Sequence, residues 1–206
     1  MNLNTLGVVH DFLSRYVTPG SLCIDATAGK GRDTALLCRL AGPTGHVLAF
    51  DIQADAIRQT KELLEREGLA AQVIQDSHAN MGRYAPAGTV DCVVFNFGRL
   101  PGGDPHIFTV AESSLAAIDA GLDCLKPGGV MAIALYYGKE NGYGEKNAVL
   151  EHIRTLDDRR YSVLVCDWAN RKMTRLCPFL SGKSDKESAS ERSEALFLIF
   201  ERKDRC

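Results

Sequence analysis

Three acidic residues and one glycine-rich turn are the parts of this sequence best suited to chemistry. Asp25, Asp51 and Asp76 each stand at the end of an apolar, strand-like run, and Gly29 and Gly31 follow the first of them. Glycines let the backbone adopt positive φ and let a ligand approach without meeting a Cβ atom. A turn of this kind, between the carboxyl end of a parallel strand and a helix N-terminus, is typical of a nucleotide-cofactor site.

The three acids are suited to different parts of a nucleotide if their strands end side by side in one crevice. Asp51, after the second strand, can accept hydrogen bonds from both ribose hydroxyls of an adenosine. Asp76 can meet the exocyclic amine of adenine, and Asp25 can meet a cationic or amine group directly or through water. For each acid taken singly, the alternative is a helix N-cap, a role that Asp often fills.

The spacing of acid and glycines favours S-adenosylmethionine over NAD. A dinucleotide fold prefers G-x-G-x-x-G, in which the third glycine allows close helix packing, and here Thr34 takes that place. Asp25 would repel a pyrophosphate, but it would not repel the ammonium and sulfonium groups of S-adenosylmethionine. The pattern D-x-x-x-G-x-G therefore predicts S-adenosylmethionine. An NAD-type oxidoreductase or a non-catalytic nucleotide-binding module is the alternative from another class.

The elements that position these residues alternate along the chain. Short apolar runs bounded by Gly and Pro predict strands, and apolar residues at helical spacing predict helices. Seven strands with helices between the first six predict an α/β fold, a doubly wound, Rossmann-like seven-stranded sheet that is mostly parallel with an antiparallel C-terminal strand. A sharp turn is predicted at 126–129. The predicted strands are 22–25, 46–51, 71–76, 90–96, 130–136, 161–168 and 196–201, and the predicted helices are 5–16, 34–40, 54–67, 109–124 and 145–156.

Composition is that of an ordinary globular protein, with 45% hydrophobic and 24% charged residues. We expect residues 1–206 to form a single domain in the cytoplasm, because no bilayer-length apolar run or secretory signal is found. The formal charge of −2 argues against a broadly basic nucleic-acid surface but allows a local patch. The 7 cysteines never form a C-x-x-C pair, so neither a metal site nor a disulfide framework is predicted.

Several motifs, in order, resemble a known family. The segments are DATAGKGRDT at 25–34, FDIQ at 50–53, FNFGRLPGGD at 95–104 and LKPGG at 125–129. They are similar to the rRNA methylase family of small class I S-adenosylmethionine-dependent methyltransferases, over roughly residues 5–180. Members of that family are associated with methylation of the aminomethyl group of 5-aminomethyl-2-thiouridine at the tRNA wobble position. The sequence departs from the family at Lys139, where a histidine is usual, and 181–194 resembles an insertion.

The resemblance implies a class I methyltransferase fold, S-adenosylmethionine as cofactor and the anticodon stem-loop of tRNA as substrate. No membrane partner is expected, and a homodimer is left open. The residues expected to bind the cofactor are Asp25, Thr27, Gly29, Gly31, Asp33, Thr34, Asp51, Gln53, Asp76, Ser77, His78, Asn96 and Gly98.

Three residues are candidates for the methyl-transfer step. An amine nucleophile needs a free lone pair, and Asn96 at the end of the fourth strand can accept its N–H bonds through the side-chain oxygen; a turn cap is the alternative. His106 can act as a base or hold substrate, or be a surface histidine. Tyr136 can stack a flipped base, or belong to the core.

Basic residues in loops near the same edge of the sheet could hold RNA phosphates. Scattered solvated charges are the alternative for each of them, and a methyltransferase for a small metabolite is the second function that the modest net charge would suit. These basic residues are Arg99, Lys139, Lys146, Arg171, Lys172 and Arg175.

Overall fold

The computed structural model of the chain describes residues 4–98, 109–137, 142–167 and 194–203. Helices and strands alternate along these residues, and none of the described helices is long and apolar enough to cross a membrane. The helices are α1 (Thr5–Tyr16), α2 (Arg32–Ala41), α3 (Ala54–Glu67), α4 (Ala111–Cys124) and α5 (Gly142–Arg154), with a 3₁₀ helix at His78–Arg83; the strands are β1 (Leu22–Asp25), β2 (His46–Asp51), β3 (Gln72–Gln75), β4 (Val90–Phe97), β5 (Leu125–Tyr137), β6 (Tyr161–Cys166) and β7 (Glu194–Arg202).

The strands form one seven-stranded sheet in the order β3-β2-β1-β4-β5-β7-β6. β1 pairs in parallel with both β2 and β4, whereas β7 is antiparallel to both of its neighbours. The predicted fold class is therefore confirmed. The strand order reverses between β1 and β4, and ligands of doubly wound sheets bind at the carboxyl ends beside such a reversal.

Alternation along the strands decides which site residues share a face of the sheet. Phe95 and Phe97 pack into the apolar layer beneath α4, whereas Val94 packs into the layer beneath α1 and α2. Since successive side chains of a strand point to opposite faces, Asn96 lies on the same side as Val94. Tyr136 also packs against the layer of α1 and α2. Both candidate residues thus face the first two helices.

The predicted sharp turn at 126–129 is instead an irregularity inside the β4–β5 ladder. Leu125 pairs with Val90 and Val130 with Cys92, so the register shifts between the two pairs. A Cβ atom on Gly129 would lie 2.8 Å from the Val90 carbonyl oxygen, which means that the two backbones approach too closely for a side chain. The strand therefore begins at Leu125, before the turn, and resumes after a bulge.

Candidate functional site

The glycine-rich turn between β1 and α2 is fastened to the end of β2 and to α3. Gly29 and Gly31 have φ of 54° and 77°. The Gly29 N–H donates to Asp51 Oδ2 at 3.0 Å, and the Thr60 hydroxyl donates to the Gly29 carbonyl at 3.3 Å. The turn is thus already held in shape beside the second strand.

Asp51 keeps the acceptor capacity that a ribose would need. Its Oδ2 accepts from Gly29, and its Oδ1 accepts from the Gln53 N–H at 2.9 Å. Each carboxylate oxygen has two acceptor positions, so each oxygen can take one further hydroxyl. Asp51 is half-buried, so a ligand can still reach part of it. The geometry fits the diol of an adenosine.

Asp76 lies at the end of β3 among three donors. It accepts from the Ser77 N–H at 2.7 Å, from Asn80 Nδ2 at 2.8 Å and from the Tyr84 hydroxyl at 3.0 Å. The bond from Asn80 first, and then that from Ser77, hold the pKa of this carboxyl below its usual range. Asn80 and Tyr84 are not among the residues that the sequence predicts for the site. Ser77 is a typical N-cap residue, and recognising it in the sequence would have predicted the short helix that contains Asn80.

Asp25 lies beneath the turn. Its side chain is fully buried, and it accepts from the Thr27 N–H at 3.1 Å and from the Thr34 hydroxyl at 2.6 Å. Burial, and then the charge of Asp33, raise its pKa to about 7. Both carboxylate oxygens thus bond to the turn and to the helix. Contact with the cofactor remains a prediction for this residue.

We expect the buried Asp25 to make the chain less stable as pH rises. Its folded-state pKa lies above the value of about 3.9 for an unfolded Asp, so the folded chain binds more protons between about pH 4 and pH 7. Its contribution to the free energy of unfolding therefore decreases over that window, by about 2–4 kcal/mol. Asn does not titrate, so in thermal unfolding the Tm of wild type should fall relative to the Tm of Asp25→Asn as pH rises from about 4 to about 7. A Tm difference that stays constant over this pH range would contradict the prediction.

Asp33 joins three elements at the open side of the turn. Its Oδ1 lies 2.5 Å from His10 Nε2 on α1, and its Oδ2 accepts from Asn96 Nδ2 at 2.5 Å. The Asn96 N–H in turn donates to Thr27 Oγ1 at 2.7 Å. The amide nitrogen of Asn96 is thus engaged, and within the described part of the chain no hydrogen bond reaches its Oδ1. Among the described residues, the oxygen is therefore the end of the amide that can still accept a hydrogen bond from a donor.

Tyr136 and Gly98 meet where β4 and β5 end. The Tyr136 ring is half-buried, and burial, followed by the charge of Asp33, raises the pKa of its hydroxyl. A Cβ atom on Gly98 would lie 3.2 Å from Tyr136 Cβ at a φ of +141°, so a side chain here would be strained and would require Tyr136 to shift. Tyr136 is therefore a protonated hydroxyl near Asp33; base stacking remains a prediction for it.

His78 holds the end of β1 in place. Its Nδ1 lies 3.2 Å from the Ala26 carbonyl oxygen, and its ring is edge-on to Phe95 and Phe97. Burial lowers the pKa of the ring, so His78 is neutral near pH 7. Its neighbour Ser77 accepts from the Ala79 N–H at 3.3 Å. Cofactor contacts remain predictions for both residues.

Several predicted residues lie outside the described part of the chain. They are His106 and the loop at 99–104, Lys139, Arg171, Lys172, Arg175 and all but the last residue of 181–194.

Gly31 is a position in the turn with little room for a side chain. A Cβ atom there would lie 3.0 Å from Thr60 Cα and 3.2 Å from Leu63 Cδ2 on α3, at φ of +77°. We expect Gly31→Ala to displace α3 and weaken S-adenosylhomocysteine binding at least about tenfold, at a cost in stability above the roughly 1 kcal/mol of left-handed alanine. Calorimetry and thermal unfolding measure both effects.

Gly68 provides a matched control for this substitution. It also has a positive φ, of +63°, but a Cβ atom there would meet nothing within 4 Å. Gly68→Ala should therefore carry the conformational cost alone and leave binding unchanged. Equal losses of affinity in the two variants would show that the contact with α3 does not matter.

The profile of the family described as "Putative rRNA methylase" matches residues 47–181. The chain belongs to this rRNA methylase family. A crystal structure from Clostridium thermocellum of the same description is 32% identical, with a TM-score of 0.85 over 98% of this chain and 99% of that one. A Streptococcus mutans protein described as a methyltransferase, solved in complex with SAH, is 31% identical, with a TM-score of 0.80 over 98% of this chain and 99% of that one.

The chloroplastic tRNA (mnm5s2U34)-methyltransferase of Arabidopsis thaliana is one of the curated relatives of this chain. It is 35% identical over 153 residues, which are 69% of this chain and 56% of the relative. A ubiquinone/menaquinone biosynthesis C-methyltransferase UbiE of Saccharophagus degradans is 29% identical, over 63% of this chain and 49% of the length of that protein. The chain thus spans about half the length of these curated relatives.

Membership in the rRNA methylase family confirms the resemblance predicted from the sequence. It also confirms the predicted methyltransferase class and S-adenosylmethionine as the cofactor. The contacts of the site residues also fit S-adenosylmethionine. Asp51 retains acceptor positions for a ribose, and the carboxylate of Asp33 places negative charge where a pyrophosphate would be repelled. The NAD alternative is set aside.

Proposed function

We propose that this chain is an RNA methyltransferase that methylates the aminomethyl nitrogen of 5-aminomethyl-2-thiouridine at the tRNA wobble position. The observation that carries the proposal is the orientation of Asn96, whose nitrogen donates to Asp33 and whose oxygen accepts no hydrogen bond from the residues that the structure describes. The name of the Arabidopsis relative, 35% identical, supports this uridine as the acceptor.

The cofactor would be held along the ends of the first three strands. Asp51 would accept from the ribose hydroxyls, and Asp76 would meet the adenine amine. Gly29 and Gly31 would let the backbone approach the cofactor closely. Asp33 would supply negative charge near the methionine end of the cofactor. When bound, S-adenosylmethionine supplies a methyl group that is already activated by its positive sulfur.

Asn96 prepares the acceptor nitrogen. Its Oδ1 would accept an N–H bond from the neutral amine, which leaves the amine's lone pair directed away from Asn96 and available to the methyl carbon. Because an amide is uncharged, it does not favour the ammonium form as a carboxylate would. The rate enhancement then comes mainly from placement of an already reactive pair. The proton that the nitrogen loses leaves to solvent.

Basic residues beside this edge would hold the RNA backbone. Lys146 is one of them, and its Nζ lies 3.8 Å from the centroid of the Tyr137 ring at the end of β5. That position puts a positive charge at the carboxyl end of β5, on the face opposite to Tyr136, and we propose that it holds phosphates of an anticodon stem-loop at this edge. The homodimer and the cytoplasmic location remain predictions.

The test is methylation of defined RNAs by the purified chain. With S-adenosylmethionine and a tRNA that carries 5-aminomethyl-2-thiouridine, mass spectrometry of the nucleosides should show one added methyl group on that uridine. The same tRNA without the aminomethyl group is the control and should remain unchanged. Methylation of ribosomal RNA or of a small metabolite instead would contradict the tRNA assignment while keeping the methyltransferase class.

A further inference from the structure

We propose that His10 is a positioning residue, which acts through Asp33 to hold the side-chain amide of Asn96 with its oxygen toward the methyl acceptor. The inference rests on the proposed function in one respect, the role of Asn96 as acceptor for the amine. It extends the site to α1, which none of the cofactor motifs includes.

The contacts form an unbroken chain from α1 to the end of β4. His10 Nε2 and Asn96 Nδ2 each lie 2.5 Å from a different oxygen of the Asp33 carboxylate. Asp33 is 5% exposed, so water competes little for these oxygens. The neutral ring can donate from Nε2 and the cation donates from both nitrogens. The ring can therefore donate this bond from Nε2.

The direction of the Asn96 amide matters because its two ends are opposite in hydrogen bonding. The terminal torsion of Asn has a broad, roughly two-fold preference, so rotation would exchange oxygen and nitrogen. With nitrogen toward the acceptor, Asn96 would offer a donor to the amine lone pair and compete with methyl transfer. The carboxylate of Asp33 opposes this rotation, because an amide oxygen facing it would be repelled.

Asp33 could itself turn away if it had only Asn96 as partner. His10 occupies the second oxygen and comes from a helix that is independently anchored. Val9 and Leu13 of α1 are fully buried, whereas the His10 side chain is 30% exposed. Replacement of His10 should therefore leave α1 in place and remove only the second partner of the carboxylate.

Kinetics of His10→Leu and His10→Gln test the role in turnover. We expect His10→Leu to lower kcat about tenfold, the equivalent of one lost hydrogen bond to a charged group. KM for the tRNA and the Kd of S-adenosylhomocysteine should change by less than about threefold. His10→Gln keeps a donor near the Nε2 position and should recover most of kcat. The exposed Asp11→Asn on the same helix is the control and should behave as wild type.

A double-mutant cycle distinguishes positioning from a general structural effect. If His10 acts through Asn96, His10→Leu should cause no further loss of kcat in the Asn96→Ala background. A multiplicative loss would overturn the inference. So would wild-type kcat in His10→Leu, or a fall in cofactor affinity as large as the fall in kcat.

NMR of the free chain tests the same contact without any RNA. The side-chain amide resonances of Asn96 are identified as the pair missing from Asn96→Ala in a ¹⁵N spectrum. We expect that pair to shift in His10→Leu and to stay in place in Asp11→Asn. An unmoved pair in His10→Leu would overturn the inference. A shifted pair with no methylation of the tRNA would refute the proposed substrate and keep the positioning role.

Discussion

Asp51→Ala should raise the Kd of S-adenosylhomocysteine at least about 100-fold. The carboxylate would supply two ribose hydrogen bonds to a charged acceptor, each worth about 1.5–3 kcal/mol, and about 2.8 kcal/mol corresponds to a factor of 100. The substitution also removes the acceptor of the Gly29 N–H, 3.0 Å away. The turn then loses its attachment to β2 as well. Isothermal titration calorimetry measures the change.

Asp55→Ala is the matched control for this experiment. Asp55 is exposed in the first turn of α3, where its carboxylate accepts hydrogen bonds from Arg58 and Gln59. Its replacement should leave the Kd within about twofold of wild type, since exposed ion pairs contribute little. Binding by Asp51→Ala within about threefold of wild type would remove Asp51 from the cofactor site.

Asn96→Ala should separate binding from turnover. We expect kcat to fall about 100-fold, in the range found when a single transition-state hydrogen-bond partner is deleted, while the Kd of S-adenosylhomocysteine stays within about threefold. The loss falls on kcat because Oδ1 orients the acceptor amine rather than the cofactor. Methyl transfer under saturating tRNA and cofactor is the measurement.

Asn147→Ala provides the corresponding control, because Asn147 is exposed on α5. It should keep wild-type kcat and Kd. Full activity of Asn96→Ala would show that the acceptor amine finds its hydrogen-bond partner elsewhere. A parallel loss of binding and turnover would instead assign Asn96 to the cofactor.

Local patterns were enough to predict the architecture near the cofactor turn. The strand 46–51 and the helix 54–67 have the predicted bounds, and Gly68 adopts the left-handed conformation expected of a helix C-cap. These elements follow from apolar periodicity and from glycines, both of which act over a few residues. The bulge after Leu125 is different, because it depends on how closely the β4 backbone approaches Gly129.

The polar contacts of the site could not be predicted in the same way. Asp33 is separated by 23 residues from His10 and by 63 from Asn96 along the chain. No short pattern encodes such pairs, because packing of α1 against α2 and alternation along β4 bring them together. The residue types were informative about chemistry, but their partners depend on the tertiary structure.

The position of β7 gives the two halves of the site different folding requirements. The strand ends and turns beside Asp25, Asp51 and Asp76 belong to one stretch of β1, β2 and β3, which pair with near neighbours in the chain. Tyr136 lies on β5, whose second neighbour is β7, and it pairs with Ala195. The cofactor side also includes the pairing of β1 with β4, which ends at Phe97. The cofactor side is thus formed within the first 97 residues, while the acceptor side also requires the strand at 194–202.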